Sequence, residues 1–319
     1  HSFPTRRSSD LLPPANCAGI VKYAMVPGKL LSSQITAQAP ALNMQQPTDI
    51  VLDPTNPLIR LTSFPAKNIS NGAYYYNNVP IVDADNEVGN GVIHHIAFIA
   101  APPTGTLKTL INSASDLTYF SAGVARADSG QVGLNRFDSL LNYPVTNMTV
   151  LVPNDAAFQT VIYGIVYAKV FALTGNAAIA DAQANLAVAA GPAIFQNPAL
   201  FGDLPAASVR GIVAYHIFAA INPADNAYEP IVRSFSVNYP PATPAFQSTL
   251  VNAAFATHPG VMVMANYTGP MVTSLTFGGL GTFPPGGTPY SDPPANAVRQ
   301  DQLAVNGVYH VIDKVLFPQ

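Results

Sequence analysis

Apolar and polar positions alternate in patterns that predict short strands and helices following one another. Apolar residues recur at helical spacing through residues 107–127, which predicts one helix with a broad apolar face. A short apolar run at residues 148–152 predicts a buried strand. The Asn154-Asp155 pair behind it predicts the start of a helix, with Asp155 as the N-cap.

The rest of the chain continues this mixture. The Ala-rich stretch at residues 172–190 predicts a helix, and residues 209–215 predict a short helix leading into a strand. Strands are predicted at residues 261–265, 275–277 and 308–316, and the Gly/Pro-rich residues 282–294 predict a long surface loop. Together these elements predict an α+β fold, with a sheet-based core and helices packed on it.

An internal repeat divides the chain. LPPANCAGIVKY at residues 12–23 matches LPAASVRGIVAY at 204–215, and NGVIHHIAFIAAP at 90–102 matches NGVYHVIDKVLFP at 306–318. The first pair is offset by 192 residues and the second by 216, so the second copy carries a net insertion of 24 residues. Repeats of this kind predict two related units, with the boundary near residues 101–105.

The first eleven residues, HSFPTRRSSDL, back-translate without a mismatch into a common sequencing adapter. We therefore interpret residues 1–11 as adapter-derived, and expect them to pack against nothing. On this interpretation the gene is entered in mid-frame, and any signal peptide or lipid anchor lies upstream of this sequence.

Composition narrows the function further. Apolar residues make up 49% of the 319 and charged residues only 10%, against about 25% in ordinary soluble proteins. The net charge is −3 and no block of Lys or Arg stands out, which argues against nucleic-acid binding.

The lone Cys17 excludes an internal disulfide, and it aligns with Val209, so we expect it in a core. No segment reaches about 18 uninterrupted apolar residues, so no membrane span is predicted.

Three ordered motifs in the second copy carry a family resemblance. TVLVPNDAAF at residues 149–158 resembles the first signature of the fasciclin domain, and NGVYHVIDKVL at residues 306–316 resembles the second. Between them, Tyr215-His216 resembles the family's Tyr-His pair, and residues 107–127 resemble its opening helix. The first copy matches through residues 23–30 and 90–102, with Ala24 in place of the usual His.

This resemblance implies a fold of two wedge-packed β-sheets, a β-sandwich core flanked by helices. Residues 12–102 would be the C-terminal half of a first fasciclin-like domain, and residues 103–319 a complete second one with insertions around 164–203 and 228–245. The resemblance also implies extracellular, periplasmic or cell-surface placement, and adhesion to a protein or polysaccharide partner without catalysis or cofactor. A membrane would be reached only through a lost N-terminal anchor.

The residues that carry the signatures have ordinary structural chemistry. They are Thr149, Pro153, Asn154, Asp155, Phe158, Tyr215, His216, Asn306, Gly307 and His310. Asn and Asp form turns and helix caps, and Asn-Gly is a turn signal before a strand. Both histidines have apolar neighbours, so we expect buried, neutral, hydrogen-bonded imidazoles.

Two other classes of function stay open. The Ala-rich insertion and apolar loops are compatible with a module that binds a small hydrophobic ligand. A hydrolase would need a site assembled without a linear motif, since neither a Gly-x-Ser-x-Gly elbow nor a phosphate-binding loop occurs. No pair of histidines is spaced i, i+4, so the positions of His94, His95, His216, His258 and His310 predict no zinc site.

If the two signature histidines are structural, His216→Ala and His310→Ala lower the stability of the second unit without removing a specific chemistry. Loss of a buried hydrogen-bonding partner costs about 1–3 kcal/mol, to which the cavity adds. We expect the smaller loss for His216→Ala, because the first copy carries Ala24 at that position. Denaturant unfolding of both variants measures this. Wild-type stability combined with loss of binding to a surface partner would contradict it.

Overall fold

The computed structural model describes residues 13–36, 44–68, 70–197, 205–283, 289–290 and 294–319. It is a mixed α+β structure with 33% helix and 29% strand, which confirms the predicted class. The chain divides between Pro103 and Thr104 into two compact units. Residues 1–11 and most of the loop predicted at 282–294 lie outside the described residues.

The first unit is built mainly of antiparallel strands. Its described elements are α1 (Pro14–Tyr23), β1 (Gln46–Val51), β2 (Arg60–Ser63), β3 (Pro65–Lys67), β4 (Tyr74–Tyr76), β5 (Val79–Val88) and β6 (Gly91–Ile96). Strands β1 and β2 pair with each other, and β3 to β6 follow one another in a second sheet. The Tyr23 ring meets Tyr76 edge-on at 5.8 Å, and the Tyr76 hydroxyl donates to the Tyr23 carbonyl. These two tyrosines join α1 to the sheet.

The second unit places helices before and between its strands. Its described helices are α2 (Leu107–Ser113), α3 (Thr118–Ala127), α4 (Phe137–Asn142), α5 (Asp155–Thr174), α6 (Ala177–Ala189) and α7 (Ala206–Tyr215). Its described strands are β7 (Met148–Pro153), β8 (Ala220–Ile221), β9 (Tyr228–Glu229), β10 (Ala245–Gln247), β11 (Val261–Thr268), β12 (Met271–Gly278), β13 (Ala295–Ala304) and β14 (Gly307–Ile312). The strands predicted at residues 148–152, 261–265 and 275–277 are therefore present. The strand predicted at 308–316 is present only as far as Ile312, where β14 ends.

Strand β7 lies between two hydrophobic layers. Among the described strands the main sheet has the order β10-β11-β12-β13-β14-β7, in which only β14 and β7 run parallel. Val150 and Val152 pack against a cluster that includes residues of α2, α3, α5 and α7. Leu151, on the opposite face, packs against a cluster formed largely by β11 and β12. Since side chains alternate along a strand, β7 is buried on both faces, as near-continuous apolar strands usually are.

The single helix predicted over residues 107–127 is wrong, because the structure has two helices separated by Ala114–Leu117. The interruption is held by tertiary contacts. The Asp116 carbonyl accepts from the Asp155 amide at 2.8 Å, and the Asp116 carboxylate forms two hydrogen bonds with Arg299, at 2.7 and 2.9 Å. These bonds fix a turn that the apolar spacing alone does not show.

Helices α5 and α6 form a helical hairpin, where the sequence predicted one helix over residues 172–190. Helix α5 continues to Thr174, and Gly175 ends it in the left-handed conformation with φ 64°. Asn176 then caps α6 by accepting from the amides of Ala178 and Ile179. Helix α5 is long and apolar enough to cross a membrane by length and composition, with 28% of its most apolar window buried. The criterion of uninterrupted apolar residues missed it, because Lys169 and polar residues interrupt the run.

Cys17 is exposed, so the expectation that it is a core residue is wrong. Its repeat counterpart Val209 is buried in a cluster that also contains α3 residues. Within the described residues of the first unit, no second α-helix covers α1 in that way. The same helical position is therefore buried in one unit and solvent-facing in the other.

Candidate functional site

The two signature segments of the second unit lie side by side as a parallel pair. Their register runs from Gly307 opposite Met148 to Ile312 opposite Pro153, and every residue of both strands is buried. Residue 307 must be glycine because the neighbouring strand and α2 approach its backbone closely. A Cβ atom there would lie 2.5 Å from the Met148 carbonyl oxygen and 2.6 Å from Leu107 Cδ1.

Asn306 organises the entrance to this strand pair. Its side-chain oxygen accepts from the Leu107 amide at 2.8 Å, and its Nδ2 donates to the carbonyls of Leu141 and Tyr143, both at 3.0 Å. One fully buried side chain therefore joins α2, the end of α4 and β14. Buried amides that satisfy both ends in this way specify a unique packing.

Thr149 of β7 is another buried polar side chain that joins two segments through hydrogen bonds. Its hydroxyl donates to the Val232 carbonyl at 2.8 Å and accepts from the Ser234 amide at 2.7 Å, and the residue is fully buried. It thereby attaches the segment before Ser236 to β7.

The segment after β7 starts α5 and anchors α3. Asn154 is the N-cap, accepting from the Ala157 amide at 2.9 Å, so the prediction that Asp155 caps the helix is wrong. The Asp155 carboxylate instead accepts from the Thr118 hydroxyl at 2.7 Å and the Tyr119 amide at 2.9 Å, at the start of α3. This places a negative charge at a helix N-terminus, where it is stabilising.

Phe158 anchors the first turn of α5 in an aromatic group. Its ring stacks on Tyr119 at 6.2 Å between centroids and meets Phe195 edge-on at 6.0 Å. The aromatic contacts hold α3, α5 and the turn after α6 together.

Tyr215 and His216 end α7 inside the core. The Tyr215 hydroxyl donates to the Gly260 carbonyl at 2.7 Å and accepts from the Leu280 amide at 3.0 Å, and burial raises its pKa. His216 Nε2 accepts from the Leu316 amide at 3.0 Å, so its Nδ1–H donates to the Ile212 carbonyl at 2.8 Å. The ring is neutral, and burial lowers its pKa to about 4.

His310 supports a β-bulge in β13. Its Nδ1 accepts from the Asp301 amide at 3.2 Å, and its Nε2–H donates to the Ser234 carbonyl at 3.1 Å. Asp301 adopts a positive φ of 56°, and its carboxylate accepts from the Ser236 amide at 2.7 Å and from the Ser236 hydroxyl. Burial lowers the pKa of His310, while the nearby Asp301 charge opposes that shift. We call His310, Asp301 and Ser236 the bulge clamp.

The first unit contains the same clamp. Asp85 has φ 63°, its amide donates to His94 Nδ1 at 3.2 Å, and its carboxylate accepts from the Ser32 amide at 2.7 Å. His94 Nε2–H donates to the Leu30 carbonyl at 2.8 Å. The side chains of His94 and Asp85 are 19% and 37% exposed, against 0% and 3% for His310 and Asp301. The hydrogen bonds with Ser32 lower the pKa of Asp85.

The sequence analysis missed Asp301 and Asp85, together with their serine partners. A signal was present in the repeat, because an Asp stands nine residues before the histidine in both copies.

A separate apolar groove of about 560 Å³ lies on the second unit, lined by residues of α4, α7 and the turn at Leu250–Ala253. Leu134, Phe137 and Phe255 contribute apolar walls. The Arg210 guanidinium lies 4.4 Å from the centre of the Phe137 ring and donates to the Asn135 carbonyl at 2.7 Å. Its Nη1 also lies 3.6 Å from Oδ1 of the buried Asp128 carboxylate. The groove is therefore mainly apolar, and the Arg210 charge is already paired.

The residues that the structure describes contain no group of three or more His, Cys, Asp or Glu side chains able to hold a metal. The signature histidines lie in separate hydrogen-bond systems, His216 with Leu316 and His310 with Asp301. They are brought to the same core without forming a shared site.

Comparison with known proteins gives structural similarity at low sequence identity. No family model matches the chain, and no curated protein matches it. Among solved structures, the chain is similar to a FAS1 domain pair from the insect cell adhesion molecule fasciclin I, with 13% sequence identity and a TM-score of 0.37. The overlap covers 94% of this chain and 79% of that chain.

We expect the protein to lose stability as the pH falls from 6.5 to 4. In that range the unfolded His216 binds a proton that the folded, buried ring does not, and the difference reaches about 3 kcal/mol below pH 4. Protonation would also turn Nε2 into a donor facing the Leu316 amide. Urea unfolding at several pH values across this range gives the free energy of unfolding as a function of pH. The slope of that free energy against pH should be shallower for His216→Gln than for the wild type.

The control is His95→Gln. The His95 side chain is 61% exposed, and its contact with Asp83 at 3.0 Å joins two exposed groups, a kind of pair that contributes little to stability. That variant should keep the wild-type slope. An unchanged slope in His216→Gln would contradict the assignment of a neutral buried ring.

Proposed function

We propose that this chain is a non-catalytic surface-interaction protein built from fasciclin-like units, acting in adhesion to a protein or polysaccharide outside the cytosol. The observation that carries the proposal is the way the signature residues are used. Four of these residues are buried, and the polar atoms of each side chain form hydrogen bonds within the unit: Thr149, Asn306, His216 and His310. The sequence motifs that resemble the family therefore build a scaffold.

Catalysis needs a nucleophile or base that reaches substrate. Both ring nitrogens of His216 and of His310 are engaged by backbone groups, and both rings are at most 1% exposed. Neither imidazole is available to a substrate without unfolding its surroundings. This supports an interaction function carried by the exterior, and it gives no support to the hydrolase alternative.

The duplicated bulge clamp supports the interpretation as two related units. The same Asp, His and Ser side chains form the same hydrogen bonds in both, although the sequence between them differs in length. Repeated modules of one fold are a common way to present binding surface along a chain. The low charge of the whole sequence favours protein or polysaccharide over nucleic acid.

The direct test immobilises the full chain and measures binding to a panel of extracellular-matrix proteins and cell-wall polysaccharides. We expect saturable binding to at least one of them, lost on heat denaturation. His216→Gln should bind as the wild type does wherever it remains folded, because the ring does not reach the surface. Absence of binding across the panel, together with turnover of ester or glycoside substrates, would favour the hydrolase instead.

The apolar groove favours a second candidate function, binding of a small hydrophobic ligand. The apolar walls would hold the ligand, while the Arg210 guanidinium, whose side chain is 31% exposed, is paired with the Asp128 carboxylate and adds little net charge. This matches the ligand-binding alternative that the composition left open, at a different place from the Ala-rich insertion.

Gly211 offers a clean test of that candidate. It lines the groove within α7, and an added Cβ meets nothing within 4 Å, so larger side chains enter the groove without backbone strain. We expect Gly211→Leu to reduce binding of a long-chain fatty acid at least tenfold, while Gly211→Ala retains it. Calorimetry with the fatty acid measures both. Equal binding by the two variants would exclude the groove.

A further inference from the structure

We propose that the tip of the α5–α6 hairpin, residues 170–180, inserts into the boundary between headgroups and acyl chains of a lipid bilayer. This inference does not rest on the proposed function. The hairpin belongs to the extra sequence around residues 164–203, which contains neither the signature motifs nor residues of the groove. The proposed binding partner of the tip is a lipid surface.

The exposure and composition of the tip are the first support. Leu173 is 77% exposed, Ile179 46% and Phe171 44%, which is unusual for side chains of this size within one short segment. The sequence VFALTGNAAIA between Lys169 and Asp181 carries no charge. A charged partner would find no counter-charge on it, whereas an uncharged hydrocarbon layer matches it.

The backbone at the turn is the second support, because polar groups entering lipid must be satisfied internally. The Gly175 amide donates to the Phe171 carbonyl at 2.7 Å, and the Asn176 amide donates to the Thr174 hydroxyl at 3.2 Å. The Asn176 side chain accepts from the amides of Ala178 and Ile179. Ala180 donates to the Asn176 carbonyl at 3.0 Å. Most backbone amides of the turn are thus bonded within the hairpin, although the turn is exposed.

The two helices are also tied together behind the tip. The Tyr163 hydroxyl donates to the Asp181 carboxylate at 2.6 Å, and the rings of Tyr163, Tyr167 and Phe171 stack in sequence at 5.9 and 6.0 Å. A rigid hairpin loses less conformational entropy on insertion than a flexible loop does. Tyrosine at this level also suits the polar boundary of a bilayer.

The hairpin is placed to enter the bilayer without crossing it. The first half of α5 is held in the core through Ala157, Phe158, Ile162 and Val166, so its full length is not available to lipid. The exposed apolar side chains lie within four residues of Gly175, about 6 Å along a helix axis. Insertion of interfacial helices reaches about 5–10 Å, which matches this depth.

The absence of tryptophan from the sequence allows a direct experiment. Leu173→Trp places one fluorophore at the tip, and Val132→Trp places one at a site of matched exposure, 75%, outside the hairpin. With phosphatidylcholine vesicles, we expect the full-length Leu173→Trp protein to shift its emission to shorter wavelength and to become protected from an aqueous quencher. The Val132→Trp protein should show neither change.

Vesicle flotation of full-length variants supplies the second measurement. We expect Leu173→Asp to lower the partition coefficient about tenfold or more, because it replaces a lipid-facing apolar side chain with a charged one, while Val132→Asp leaves it unchanged. Equal flotation of both variants would overturn the proposal. A second result would also overturn it: the protein does not bind vesicles, and it self-associates through the tip when no vesicles are present. That result would identify a second copy of the chain as the partner of the tip. Binding to a surface partner in the panel assay is unaffected by either result.

Discussion

The parallel contact between β7 and β14 is the constraint on which the second unit depends. It joins two strands that are buried on both faces, and it forms only because Gly307 leaves room for the Met148 carbonyl. Asn306 then fixes α2 and α4 against the same strand, and Asn154 starts α5 directly after the other. The helical layer and the strand layer are therefore positioned by one strand pair. A side chain at residue 307 would separate them.

The bulge clamp shows how the two units use one local device in different surroundings. In both, an Asp at positive φ is held by a histidine on the neighbouring strand and by a serine from a preceding segment. Strain of this kind persists where the surrounding structure fixes it. In the second unit the clamp is sealed from solvent, whereas in the first it is partly open to water. The geometry is therefore set by the hydrogen bonds, and burial adds to it.

The sequence predicts the elements whose signal is local. The apolar run of β7, the start of α5 after Asn154-Asp155 and the α+β class all follow from pattern and turn chemistry. What it misses depends on distant partners. The break between α2 and α3 is maintained by Asp155 and Arg299, neither of which belongs to that segment. The bulge at Asp301 needs His310 and Ser236, and the exposure of Cys17 depends on what covers α1. Local propensity carries none of this information.

The β7–β14 pair also has a consequence for the order of folding. Met148 and Gly307 are 159 residues apart along the chain, so their contact closes a long loop, and such contacts form slowly. The α5–α6 hairpin closes through a two-residue turn and needs no distant partner. Until β14 arrives, β7 is an apolar strand with an unpaired edge, a state prone to intermolecular pairing. The slow closure of one strand pair thus determines how long the nascent chain is vulnerable to aggregation.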